Sequence, residues 1–133
     1  MATLIDSSVL IAAERGDLDL EKAIERLRGE EVAISAISAS ELLHGVYRAR
    51  TVSQRHRRRA FIEHLLNNFP IVPFDLPVAR VHAAIWADLA ARGSTIGERD
   101  LMIAATAIAG GYKLATRDLR SFPRIQGLST IRL

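Results

Sequence analysis

Short apolar runs alternate with longer amphipathic ones along this chain of 133 residues. Ala2 to Ile5 reads as a strand that stops at Asp6-Ser7-Ser8. Those three polar residues can cap a helix over Val9 to Arg15, which Gly16 ends. Leu18 to Arg28 carries Leu20, Ala23, Ile24 and Leu27 on one helical face, and Gly29 closes it. Val32 to Ser35 is a second strand, and Ser38-Ala39-Ser40-Glu41 opens a helix running to about Arg50. Gln54 to Phe69 is a further helix with the apolar stripe Phe61, Ile62, Leu65, Leu66 and Phe69, stopped by Pro70. Ile71 to Phe74 is a third strand. Pro77 fits the first turn of the next helix, which turns Val78, Val81, Ile85, Trp86 and Leu89 inward and ends at Gly93.

The most informative stretch follows. Asp100 to Ala109 is rich in Ala, Leu, Met and Ile and reads as a buried helix. Gly110-Gly111 ends it, because glycine takes the left-handed cap at little steric cost. Tyr112 to Thr116 then reads as a strand bounded by Arg117-Asp118. The helix advances ~15 Å at 1.5 Å per residue, and the strand with its turn returns a similar distance at ~3.3 Å per residue. Asp118 is therefore expected beside Asp100. The tail holds Phe122, Ile125 and Leu128, and Thr130 to Leu133 is a candidate edge strand.

Strands alternating with helices, several of them apolar throughout, predict an α/β fold with a short parallel sheet of four to five strands covered on both faces. The length predicts one domain over residues 1–133. The helical stretch between the second and third strands is insertion-sized for such a fold.

Composition narrows the chemistry. There is no cysteine, which excludes disulfides, thiolate metal sites and a cysteine nucleophile and is compatible with a cytoplasmic setting. No apolar run approaches the ~18 residues of a membrane span. No basic segment precedes the first apolar run, so it does not read as a signal peptide. Net charge is only +3, but sixteen of the eighteen basic residues are arginine, Lys22 and Lys113 being the exceptions. Arginine forks match phosphate and carboxylate geometry, although GC-rich codon usage gives the same bias.

In an open parallel sheet, ligand sites lie at the carboxyl ends of the strands. Asp6 follows the first strand, Glu41 falls in the first turn after the second, Asp100 begins the buried helix and Asp118 follows its strand. Each has a simple local explanation. Asp6 can cap a helix. Ser38-x-x-Glu41 is a capping box, with Ile37 and Leu42 as its hydrophobic staple. Asp100 can complement a helix dipole, and Asp118 can form a turn. Their meeting at one edge is what points to function, because clustered carboxylates stay ionised only where a cation or shared protons relieve the repulsion. Hard oxygen ligands select Mg²⁺ or Mn²⁺, which can activate water for phosphodiester displacement. His44, His56, His64 and His82 are spread over three helices away from strand ends, and there is no phosphate-binding Gly-rich loop or G-x-S-x-G.

Four segments in order, Leu4-Ile5-Asp6-Ser7-Ser8-Val9-Leu10-Ile11, Ser38-x-Ser40-Glu41-Leu42-x-x-Gly45, Asp100-Leu101-x-Ile103-Ala104-Ala105-Thr106-Ala107 and Thr116-Arg117-Asp118-x-x-x-Phe122, resemble the PIN-domain ribonucleases. The nearest likeness is to the VapC-like toxins of VapBC-type toxin–antitoxin pairs, and it covers nearly the whole chain. The resemblance implies a three-layer α/β/α fold and a Mg²⁺- or Mn²⁺-dependent endoribonuclease. It maps the family's acidic site onto Asp6, Glu41, Asp100 and Asp118, with Asp6 and Asp100 as principal metal ligands and Thr116 as a small polar position beside the substrate. It also implies a homodimer and a VapB-like antitoxin whose C-terminal segment fills a groove near the site, in a heterotetramer or larger assembly. Ser121 departs from the pattern, since many relatives carry another polar or a basic residue there.

The run Arg55-His56-Arg57-Arg58-Arg59 is a separate hint. At a helix N-terminus such charges oppose the macrodipole, costing about 0.3–1 kcal/mol each, and they invite an anion such as RNA phosphate or an acidic antitoxin segment; a solvated face is the plain alternative. Two other function classes are open. A receiver-like Mg²⁺ signalling domain would use Asp75 as phospho-acceptor, but it also wants adjacent acids after the first strand and a lysine after the last. A non-catalytic nucleic-acid-binding module would need only the arginines. A D-x-D phosphatase lacks its second Asp in Asp6-Ser7-Ser8.

Overall fold

A computed structural model describes residues 2–133. Its chain order is β1 (Thr3–Ile5), α1 (Ser7–Glu14), α2 (Leu20–Glu25), β2 (Val32–Ser35), α3 (Ala36–Tyr47), α4 (Val52–Asn68), β3 (Ile71–Val72), α5 (Leu76–Ala91), α6 (Glu98–Gly110), β4 (Lys113–Thr116), a 3-10 turn (Phe122–Arg124) and β5 (Thr130–Arg132). The five strands form one sheet in the order β3-β2-β1-β4-β5, and every neighbouring pair is parallel.

Strand periodicity explains the layers. Successive side chains point to opposite faces, and Leu4 pairs in register with Ala33 and Leu114, while Ile5 pairs with Ile34 and Ala115. The first row packs with Leu89, Leu101, Ile103 and Phe122 under α5 and α6. The second packs with Val9, Leu10, Leu42, Val46, Ile62 and Leu65 under α1, α3 and α4. The expected three-layer α/β/α architecture is thus what forms, because β1, β2 and β4 bury both faces. No helix among the described residues is long and apolar enough to cross a membrane.

Several boundaries differ from the sequence reading. The second helix is only Leu20–Glu25, capped by Asp19 onto the Lys22 amide; Arg28 and Gly29 then take positive φ and turn the chain back early. Helix α3 begins at Ala36, because the Ser35 hydroxyl caps it by accepting the Ser38 amide at 3.0 Å. The Ser38–Glu41 capping box does not form, and Glu41 is the sixth helical residue rather than part of the first turn. Thr51 caps α4 by accepting the Gln54 amide, so the arginine run starts at the fourth helical residue. That lies beyond the turn where the dipole acts strongly. Arg58 donates to the Gly45 carbonyl and pairs with Glu14 at 3.5 Å, and Arg59 lies over the Tyr47 ring. Trp86, expected inward, is 61% exposed.

Candidate active site

The strand order places a topological switch beside β1. The chain builds β2 and β3 outward on one side of it and β4 and β5 on the other. Crevices at the carboxyl ends of strands flanking such a switch are where α/β sheets bind ligands. Asp6 follows β1 directly, and Thr116 ends β4, with Asp118 two residues on. Asp100 is in the first turn of α6.

Asp6 occupies the N-cap position of α1, yet its side chain makes no capping hydrogen bond. Instead it is buried at 3% exposure, and its Oδ2 accepts the Ser8 hydroxyl at 2.7 Å and the Thr116 hydroxyl at 2.9 Å. Burial raises its pKa, and those two hydroxyls, with the Ser8 and Ser7 backbone amides, pull the other way. Glu41, half-buried on α3, accepts the Ser7 hydroxyl at 3.0 Å. Burial raises its pKa; the Ser7 hydrogen bond opposes this, the Asp6 charge adds to it and Arg99 relieves it. Asp100 is pushed up to about 6, first by burial and then by the charges of Asp6, Asp118 and Glu41, with the Ser121 hydroxyl opposing. Asp118 anchors its own turn, its Oδ1 accepting the Arg120 amide at 2.9 Å while its amide donates to Thr116 Oγ1.

The four acids named from the sequence therefore act on one another across α1, α3, α6 and the β4 loop. Among the described residues, none of the ion pairs involves any of them. Nor do three acidic or histidine side chains among these residues form a ready-made metal cage. All four acids are hard oxygen donors, the ligand type that suits Mg²⁺, which keeps several waters and takes one or two carboxylates plus substrate phosphate. Asp75 takes no part; its carboxylate caps α5 by accepting the Val78 amide. His44, His56 and His64 are exposed, and His82 packs edge-on against Phe74.

Sequence reasoning missed the partners of the acids. Ser7 and Ser8 read as cap residues, whereas each spends its hydroxyl on a carboxylate. Arg99 gave no signal beyond adjacency to Asp100, and Ser121 stood out only as a departure from the family pattern. Beside Glu41, a cleft of about 490 Å³ runs between α1, α3 and α4, lined by Arg15, Arg48, Arg50 and Arg58 with Phe61 and Ile62 on its apolar wall.

The family model of the PIN domain matches residues 3–128. The chain belongs to the PIN domain family. This PIN domain is 39% identical over 131 residues to ribonuclease VapC1 of Rickettsia felis, covering 98% of the chain and 96% of that protein. It superposes with a TM-score of 0.82 on a chain of VapBC-5 from Mycobacterium tuberculosis, a member of the VapBC family of toxin–antitoxin systems, at 30% identity and 99% and 98% coverage. A DNA-bound VapBC2 chain from Rickettsia felis gives a TM-score of 0.89 at 24% identity, covering 100% of this PIN domain and 99% of that chain, and shares the fold.

Proposed function

We propose that this PIN domain is a Mg²⁺- or Mn²⁺-dependent endoribonuclease, the toxin of a toxin–antitoxin pair acting in the cytoplasm. The observation that carries the reading is the placement of buried Asp6 at the end of β1, hydrogen-bonded to Thr116 at the end of β4, with the charges of Asp6, Asp118 and Glu41 all acting on Asp100 and no ion pair to any of the four among the described residues. The ribonuclease name of a relative matching nearly end to end supports it. In this reading Asp6 and Asp100 hold the ion, and Glu41 and Asp118 complete the site directly or through water. A bound divalent ion would supply Lewis-acid polarisation of the phosphoryl group and a water of lowered pKa. The chain's own residues set the stage. Ser8 and Thr116 orient Asp6, Ser7 orients Glu41, and the β4 turn orients Asp118. Thr116 stands beside the substrate position. Arg99, whose charge is felt at Glu41, adds a positive edge toward which an RNA phosphate is drawn.

The partner reading rests on the cleft. A VapB-like antitoxin is proposed to lay its C-terminal segment along the groove from Glu41, apolar side chains against Phe61 and Ile62 and acidic ones toward Arg48 and Arg50. That VapBC-5 is a toxin–antitoxin member of matching fold supports this. Self-association as a homodimer is supported by the exposed apolar side chains Tyr47, Ile71, Leu76 and Trp86.

Asp6→Asn is the direct test. It keeps the shape of the side chain and removes a charge. RNA cleavage in Mg²⁺ is expected to fall by more than the ~10–100-fold typical of losing an outer-shell partner, with an unchanged circular dichroism spectrum. Cleavage at the wild-type rate would remove Asp6 from the site and the reading with it.

A further inference from the structure

Two hydroxyls in the site are fixed from both sides. Ser8 Oγ accepts the Arg117 amide at 3.0 Å, and Thr116 Oγ1 accepts the Asp118 amide at 2.9 Å. A backbone amide can only donate, so each hydroxyl has its own proton left to give. Both protons go to the same atom, Asp6 Oδ2. The 3.3 Å separation of Ser8 Oγ and Thr116 Oγ1 closes a small ring across the end of β1, the first turn of α1 and the loop after β4. Asp6 Oδ2 takes both hydroxyls of this ring and Oδ1 takes neither, while the Ser7 and Ser8 backbone amides also act on the carboxylate.

We propose that Ser8 is a positioning residue: with Thr116 it fixes the orientation of the Asp6 carboxylate by holding Oδ2, which leaves Oδ1 as the oxygen without a hydroxyl donor to meet a divalent cation, and it fastens the loop carrying Asp118 to the same carboxylate. The proposal rests on the metal-dependent reading above. Ser8 is the second residue of α1, in the first turn, where a serine hydroxyl is free to bond outside the helix. Here the hydroxyl is fully used on β1 and the β4 loop. Removing it takes one donor from Asp6 and at once leaves the Arg117 amide without its acceptor.

The experiment compares wild type, Ser8→Ala and Ser8→Thr in the full chain. Mn²⁺ binding without RNA is measured by calorimetric titration, and RNA cleavage is measured at saturating Mn²⁺. Ser8→Ala is expected to weaken Mn²⁺ binding ~10–100-fold, the range for outer-shell partners, and to lower kcat with little change in KM. Ser8→Thr, which keeps the hydroxyl, is expected to restore both. Should the alanine variant fail to fold, Ser8→Cys takes its place as a near-isostere with a much weaker donor. Mn²⁺ binding by a folded variant equal to that of wild type overturns the positioning role alone. A wild type that binds no Mn²⁺ overturns the metal-dependent reading and the positioning role together.

Discussion

Asp100 shows what it costs to gather these carboxylates. Its pKa of about 6, against an ordinary value of 3.8, comes from burial and from Asp6, Asp118 and Glu41. The folded protein therefore holds this proton more tightly than the unfolded chain does. Folding takes up a proton between pH 3.8 and about 6, and over that window stability falls as pH rises. Above it the full penalty is present. Asp100→Asn imitates the protonated form, so in EDTA at pH 7.5 it is expected to melt a few degrees above wild type, about 1 kcal/mol after allowing for partial solvent exposure. At pH 4 the two should melt together. Mg²⁺ should raise the wild-type melting temperature at pH 7.5 and that of the variant far less. Equal melting temperatures at both pH values would show that Asp100 carries no such strain. At this scale the sequence was readable where an acid closely follows a strand, as at Asp6 and Asp118. It misled at Glu41, because Ser35 and Ser38 are both good cap residues three positions apart, and only the direct passage of β2 into α3 selects Ser35.

The helix-to-strand unit from α6 to β4 delivers Asp100 and Thr116 to the same edge, and its reversal depends on Gly111. That residue sits at φ 71, ψ 26 and closes the helix through its own amide, a conformation that costs a side-chain-bearing residue about 1–2 kcal/mol. Gly111→Ala is expected to lower the melting temperature by about 3–8 °C. Ser35→Ala, which removes the α3 cap, is expected to cost about 1 kcal/mol; a variant as stable as wild type would mean that another group satisfies the Ser38 amide. This unit was legible because its apolar run and its two glycines punctuate the same boundary. Elements whose limits depend on tertiary packing were not. The stripe of α5 runs through Val78, Ile85 and Leu89 at steps that stay on one face, and Trp86 lies one residue, ~100°, off it. It is exposed, near His82, despite its apolar bulk. β3 shrinks to two residues because only Ile71 and Val72 find partners on β2.

At the scale of the molecule, alternation along the strands foretold a sheet buried on both sides but not the strand order, and the order is what makes a site. Placing β1 next to β4 sets Asp6 and Thr116 within one hydrogen bond although they are 110 positions apart, a pairing no local pattern contains. The same packing separates the arginine run into two parts. Arg58 is drawn inward to Gly45 and Glu14, while Arg55 and Arg57 remain exposed on α4. The cleft's positive wall is thus supplied by Arg15 just after α1, Arg48 and Arg50 between α3 and α4, and Arg58 on α4, rather than by the run as such. If an acidic antitoxin segment lies there, charge on this wall governs how fast it docks and how strongly salt interferes. Arg48→Glu with Arg50→Glu is expected to slow association with the antitoxin by about tenfold or more at low salt and to flatten its salt dependence. The measurement is association kinetics at two ionic strengths with the proposed antitoxin partner. An association rate unchanged by reversing both charges would move the antitoxin off this wall, because two reversed charges cannot go unfelt by an acidic segment lying within a Debye length of ~10 Å.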